Sequence, residues 1–143
     1  MASGRSVLIS VLSSLLATVL LTTTTSSQNT QTTTPTVVQV ELQYVGNGIC
    51  KQKIVGTSNS TPFVPIGANE IVRWSTANSM PFQVNFRSSL SPFKRNQFPS
   101  TTGAAVDSDP AHGTMDTQYP YSSVTIGNNN CNLVPGPLGL IMK

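Results

Sequence analysis

The chain has 143 residues, of which 38% are hydrophobic and only 9% are charged, and its formal net charge is +3 at pH 7. This length fits one domain with a single core after a short leader is set aside. The positive charge is too small and too scattered for a surface that binds nucleic acid or an anionic membrane, so we expect neither partner.

The first 27 residues have the parts of a secretory signal peptide. Arg5 supplies a positive charge, residues 6–21 form an apolar stretch without charge, and small polar residues follow as far as Ser27. The apolar stretch is short for a stable membrane span, although an uncleaved N-terminal anchor is the alternative. We therefore expect a secreted, periplasmic or cell-envelope protein without a membrane span after signal cleavage.

Residues 28–36 consist of Thr, Gln, Asn and Pro. A stretch of this composition buries no apolar surface, so it predicts a disordered, Thr-rich lead. The rest of the chain, residues 37–143, is predicted to form one domain.

Within this domain, apolar and polar residues alternate in several short segments. An alternation with a period of two indicates a β-strand with one buried face. Asn47 and Gly48 lie between the first two segments and indicate a hairpin turn. In chain order, the alternating segments are residues 38–44, 50–54, 71–76, 82–86, 119–126 and 138–142.

The pattern of about seven or eight short strands separated by Gly, Pro, Asn and Ser is typical of an all-β fold. We predict a single antiparallel β-sandwich with Greek-key connections. Residues 87–110 are the one long irregular stretch and are rich in Ser, Pro and Thr. We expect a loop there, with one helical turn near residues 91–96.

The two cysteines of the chain are Cys50 and Cys131. An exported protein with an even number of cysteines most simply pairs them in a disulfide. The bond would close a loop of roughly 80 residues and stabilise the fold by about 4 kcal/mol through the unfolded state. The alternative is a redox-active or metal-binding pair, although the chain has no C-x-x-C spacing to support it.

Two parts of the domain carry a recognisable pattern of residues. Residues 66–74 read IGANEIVRW, and residues 78–84 read NSMPFQV. Further on, Tyr119-Pro120-Tyr121 is an aromatic-x-aromatic motif, and the chain ends in GLIMK. Together these motifs resemble a cupredoxin, in which a Val-x-Trp strand and a polar loop precede the first copper-binding histidine. The resemblance covers about residues 37–143 and implies a cupredoxin-like sandwich.

The copper ligands of that family are missing from the matching positions. A type 1 copper site uses two imidazoles, one thiolate and usually a weak axial methionine. This chain has Phe82 in place of the first histidine and Ser123 in place of the cysteine, and its only histidine is His112. The resemblance therefore implies the fold without type 1 copper, and we expect no cofactor. The aromatic residues near Phe82 would then fill the core or line a small apolar pocket.

Two other metal sites are conceivable from the residue types. His112 and Met115, with Met80 if it lies at the same end of the sandwich, could hold copper through soft ligands. The competing interpretation makes His112 an exposed loop residue and packs Met115 at a strand edge. Asp107 and Asp109 could likewise contribute to a calcium site or form a polar turn.

No spacing of nucleophile, base and orienting acid points to an enzyme. We therefore expect a secreted, non-catalytic β-sandwich module with a binding or structural role and an unidentified extracytoplasmic partner. The alternative is an extracytoplasmic copper-binding protein that uses His112, Met115 and Met80. A secreted hydrolase with an atypical site is the third hypothesis.

Overall fold

The computed structural model describes residues 33–133 and 136–143. The predicted signal peptide, residues 1–27, and residues 28–32 of the predicted lead lie outside these ranges. Within them the chain forms strands and no helix, and hence no helix that could cross a membrane. The strands are β1 (Val37–Gly46), β2 (Ile49–Ile54), β3 (Phe63–Ile66), β4 (Ile71–Thr76), β5 (Phe82–Phe86), β6 (Gln97–Ser100), β7 (Val106–Asp107), β8 (Gln118–Ile126), β9 (Asn129–Asn130) and β10 (Gly139–Met142).

The strands form two sheets, which confirms the predicted all-β, sandwich-like class. The four-stranded sheet has the order β2-β1-β4-β7. The six-stranded sheet has the order β3-β10-β8-β5-β6, and β9 pairs with β8. The sheets are mixed rather than purely antiparallel, because β1 pairs with β4 and β3 pairs with β10 in parallel. Alternation predicts which face of a strand is buried but not the direction of its neighbour, so the sequence did not reveal these two pairings.

The predicted strands are present, and their burial follows the alternation. In β1, Val40 and Leu42 are fully buried, while Gln39 and Gln43 are exposed. The predicted hairpin is also present, with β1 antiparallel to β2. Its turn is the Asn47-Gly48 dipeptide, in which both residues have positive φ angles, 53° and 74°. Two positive φ angles in succession match the twist of a tight hairpin, which explains this dipeptide.

The prediction for residues 87–110 was wrong in part. This stretch contains β6 and β7 as well as loops, and no helical turn forms at residues 91–96. Instead, the Ser91 hydroxyl accepts a hydrogen bond from Phe93 N at 3.2 Å and donates one to Arg95 O at 2.8 Å. These strands are so short that their alternation is barely visible, since β6 points only Phe98 and Ser100 inward.

The core lies between the sheets and is centred on aromatic side chains. Trp74 of the four-stranded sheet packs against Phe98 of the six-stranded sheet with ring centroids 4.8 Å apart. Phe86 and Tyr121 meet edge to face at 5.1 Å, and Phe93 from the loop before β6 joins the cluster. Each such pair adds about 0.5–1.5 kcal/mol beyond the area that it buries. The loop that contains Phe93 is therefore anchored by a core residue.

A chain of hydrogen bonds crosses this core and joins the two sheets. Trp74 Nε1 donates to the Tyr121 hydroxyl at 3.0 Å, and that hydroxyl donates to Gln52 Oε1 at 2.9 Å. Gln52 Nε2 in turn donates to the carbonyls of Pro62 and Gly139, both at 2.8 Å. Burial raises the pKa of Tyr121 far above its usual range, so the phenol stays protonated. We call this chain the polar bridge.

The predicted disulfide between Cys50 and Cys131 is present. Cys50 lies in β2, at one edge of the four-stranded sheet, and Cys131 directly follows β9 of the six-stranded sheet. The backbone of Cys131 is fixed by its N–H, which donates to Val124 O at 2.8 Å. The disulfide is thus a second connection between the sheets, beside the polar bridge.

Candidate functional site

The two positions that the resemblance assigns to copper ligands lie on opposite faces of the six-stranded sheet. Phe82 is buried in the core, on the same face of β5 as Val84 and Phe86. Ser123 pairs with Asn85, which is on the other face, and its Oγ accepts a hydrogen bond from Asn85 Nδ2 at 2.7 Å. The register shifts between Asn85 and Phe86, which changes the face that Ser123 occupies. Counting alternate residues along the sequence does not reveal such a bulge.

The three residues of the copper alternative do not come together. His112 follows Ala111, whose N–H bonds to Glu70 O just before β4 begins. Met80 lies beyond the other end of β4, where its carbonyl accepts a hydrogen bond from Thr76 Oγ1 at 2.9 Å. The six residues of β4 separate the two ends by about 17 Å.

The surroundings of these residues also differ. His112 is exposed, Met115 is 54% exposed, and Met80 is half-buried. Met115 therefore faces solvent and is not packed at a strand edge. No group of three or more His, Cys, Asp or Glu side chains that could hold a metal occurs within residues 33–133 and 136–143.

The two aspartates at residues 107 and 109 are held by arginines. The two carboxylate oxygens of Asp107 accept hydrogen bonds from Arg73 Nε at 2.6 Å and Nη2 at 2.7 Å. These bonds hold the pKa of Asp107 below its usual value and raise that of Arg73. Asp109 accepts bonds from Arg95 N and Nε at 3.1 and 3.3 Å. Asp107 therefore joins β4 to the edge strand β7, and Asp109 joins two loops, so both carboxylates are engaged by arginines.

The other carboxylates also have protein partners. Glu41 pairs with Lys53 at 3.1 Å, and Asp116 pairs with Lys143 at 3.2 Å. Glu70 Oε2 accepts a hydrogen bond from the N–H of Gly67 at 2.6 Å. The chain has five acidic residues, so each of them is engaged in the structure.

A concave feature lined mainly by polar side chains lies beside His112. It is a cavity of about 340 Å³ lined by Asn69, Lys94, Asp109, Pro110 and His112. Three loops supply these residues, one before β4, one before β6 and one after β7. We call it the three-loop cavity.

This cavity was not predicted from the sequence. The signal that could have revealed it is the hydrophobic Phe93. Because Phe93 is buried in the core, the neighbouring Lys94 lies on the surface of the domain. The contact between residue 94 and residues 109–112 is long-range, and the sequence alone does not specify it.

Comparison with known proteins gives no family assignment, since the chain matches no protein-family model and no curated protein. A function must therefore be inferred from the geometry and chemistry of the described residues. Of the residues that the sequence singled out, the structure joins Cys50 with Cys131, separates Met80 from His112, and places His112 in the three-loop cavity.

Proposed function

We propose that the protein is an exported, non-catalytic β-sandwich module that binds an extracytoplasmic partner through its loops, on a cupredoxin-like fold without a type 1 copper site. One observation carries this proposal. All five carboxylates have structural partners, and the only imidazole, that of His112, lies exposed in a loop. The described part of the chain therefore offers groups for recognition, and we infer no acid, base and nucleophile set for turnover among them.

The strand arrangement supports the cupredoxin-like part of the proposal. The motif at residues 66–84 spans β4 and β5, and the Tyr119–Tyr121 motif lies in β8. The strand that ends the chain, β10, lies next to β8, and β8 lies next to β5. The resembling segments thus contribute neighbouring strands around one core, as expected if they came from one ancestral sandwich.

The proposal also explains how such a fold would remain stable without a metal. Phe82 is only 3% exposed, so the position matched to a copper ligand contributes apolar burial instead. The disulfide between Cys50 and Cys131 and the polar bridge each connect the two sheets. These interactions stabilise the domain by burial, hydrogen bonding and a covalent link.

Export is supported by the disulfide, because such bonds persist in oxidising compartments. The predicted signal peptide lies outside the described residues, so cleavage is tested on the protein itself. Mass spectrometry of the exported protein should give an N-terminus near residue 28. A chain that keeps residues 1–27 would instead support the N-terminal anchor.

A copper titration tests the proposal against the copper-binding alternative. We expect no stoichiometric binding of Cu(I) or Cu(II), measured by absorbance and by bound-metal analysis. The His112→Ala and Met115→Ala variants should behave like the unmodified protein, since both side chains face solvent. One-to-one binding that either substitution abolishes would show that the protein handles copper, and the proposal would be wrong.

A further inference from the structure

We propose that the three-loop cavity binds a small oxyanion, namely a sulfate or carboxylate group of the kind that acidic saccharides carry. The proposal names a ligand class for the binding module and so rests on the proposed function. It depends on three features of the cavity, which are its fixed shape, its excess of hydrogen-bond donors and its unpaired positive charge.

The cavity is fixed by hydrogen bonds between the loops that form it. The N–H of Asn69 donates to Ala111 O at 2.8 Å, and the N–H of Ala111 donates to Glu70 O at 2.8 Å. The N–H of His112 donates to Pro92 O at 2.9 Å, which connects the third loop. A ligand would therefore meet a site that is already formed, and little ordering would oppose its binding.

The one carboxylate in the cavity wall is already neutralised. Asp109 Oδ2 accepts hydrogen bonds from Arg95 N and Nε. That arginine is held in place, because its Nη2 donates to Asp107 O at 3.0 Å and its guanidinium lies 5.0 Å from the centre of the Phe98 ring. The pair of Asp109 and Arg95 is therefore close to neutral, so the net positive charge at the cavity comes from Lys94.

The remaining polar groups of the cavity are mainly donors. Lys94 forms no ion pair in the described part of the chain, and its side chain is exposed in the cavity wall. Its ammonium carries three donors, the amide of Asn69 carries two, and the ring of His112 carries one or two. Charge-assisted hydrogen bonds from such donors to an anionic oxygen are the strongest that a partly exposed site can form.

These features select an anion over the other ligand classes. A cation would approach the unpaired ammonium of Lys94 and would find the Asp109 carboxylate already engaged. An apolar ligand would leave the donors without partners, which costs free energy. The volume of about 340 Å³ is at the small end of the range for ligand sites and suits a single charged group or one sugar unit.

The test is an NMR titration of the ¹⁵N-labelled protein with sodium sulfate and, separately, with sodium glucuronate. Sodium chloride keeps the ionic strength constant, so general screening does not change. The variants are Lys94→Gln, which removes the ammonium charge, and His112→Gln, which replaces the imidazole with a neutral amide. Lys51→Gln is the matched control, since Lys51 is also exposed and forms no ion pair within the described residues, but lies in β2, on the four-stranded sheet.

The proposal predicts saturating shifts of the amide signals of Asn69, Lys94 and His112, with a Kd on the order of 1 mM for at least one of the two anions. Lys94→Gln should weaken binding about tenfold, His112→Gln should weaken it less, and Lys51→Gln should leave it unchanged. Saturation by sulfate alone would assign a sulfate-type ligand, and saturation by glucuronate alone a carboxylate-type ligand.

The absence of saturating shifts at the cavity, or an affinity that Lys94→Gln does not change, would overturn the proposal. Shifts that scatter equally over the other lysines would overturn it too, because they would show general ion association. In each of these cases the NMR result rejects the proposed ligand class. If the copper titration is also negative, the proposed binding module still stands. Copper binding that depends on His112 would instead refute the proposed function itself.

Discussion

The two sheets share one core but present different outer faces. The strands of the four-stranded sheet contain five charged residues, which are Glu41, Lys51, Lys53, Arg73 and Asp107. The strands of the six-stranded sheet contain no Asp, Glu, Lys, Arg or His. A chain with few charges has thus concentrated them on one side of the domain and on the loops.

Cross-strand contacts on the two faces differ in the same way. On the four-stranded sheet, Arg73 and Asp107 form an ion pair between β4 and β7. On the six-stranded sheet, Asn85 Nδ2 of β5 donates to the Ser123 hydroxyl of β8 at 2.7 Å, and within β5 Gln83 Nε2 donates to Asn85 Oδ1 at 2.8 Å. The stability of the first face therefore depends on pH through Asp107, whereas the contacts of the second face are made by neutral amides and hydroxyls.

The sheet edges follow the same division. The edge strand β2 of the four-stranded sheet carries Lys51 and Lys53, whose charges oppose pairing with another chain. The edge strands β3 and β6 of the six-stranded sheet contain Pro65 and Pro99, which lack the N–H that such pairing requires. Both devices disfavour strand addition, so we expect recognition through the loops and not through an edge.

The largest predicted effect comes from removing the covalent link between the sheets. Replacing both Cys50 and Cys131 with Ala should lower the free energy of unfolding by about 4 kcal/mol. Because Cys50 lies in an edge strand, hydrogen exchange should increase more in β2 than in the central strands β5 and β8. Equal increases in all strands would mean that the disulfide does not act mainly on the edge of the four-stranded sheet.

The second prediction concerns the polar bridge. Tyr121→Phe removes one hydroxyl but leaves Gln52 Oε1 and Trp74 Nε1 buried without their partner, which should cost about 2–4 kcal/mol in urea unfolding. Phe63→Leu, on the partly buried edge strand β3, is the control and should cost less. A cost below that of the control would show that the bridge contributes little to joining the sheets.

The bridge also predicts the response to alkaline pH. The pKa of Tyr121 is raised in the folded state, so its contribution to stability is complete below the unfolded value of about 10. Above that pH the unfolded chain loses a proton that the folded chain keeps, and stability falls. The Tyr121→Phe variant should lose less stability between pH 9 and about pH 11 than the unmodified protein. An identical decline in both proteins would contradict this account.

The smallest predicted effect belongs to the charged face alone. The pKa of Asp107 is lowered by Arg73, so the stabilisation from this pair is present above the unfolded value of about 4 and is lost as the pH falls through the folded value. Arg73→Gln should lower the urea midpoint slightly at pH 7, and the difference should vanish in acid. Gln83→Ala, on the uncharged face, should show no difference between the two pH values.

The sequence contained enough information for most of the fold. Alternation predicted the strands that bury whole faces, such as Phe82, Val84 and Phe86 in β5, because burial imposes that period. The disulfide followed from the number of cysteines and the expected compartment. The parallel pairing of β1 with β4 was not predictable, because it depends on contacts between segments far apart in the chain.

The candidate site was harder to predict for the same reason. Ser123 changes face through a bulge that no local pattern marks. His112 and Lys94 share a cavity only because Phe93 is buried and because the backbones at residues 92 and 112 are bonded to each other. The residue types alone left His112 open to a copper role with Met80, which lies at the other end of β4.

The copper titration tests the central claim most directly, because it separates a binding module from a protein that handles metal. We expect no stoichiometric copper on the purified protein, and no change in the His112→Ala and Met115→Ala variants. One equivalent of tightly bound copper that is lost on either substitution would contradict it. That result would show that the fold holds a metal with ligands outside the positions matched to type 1 copper.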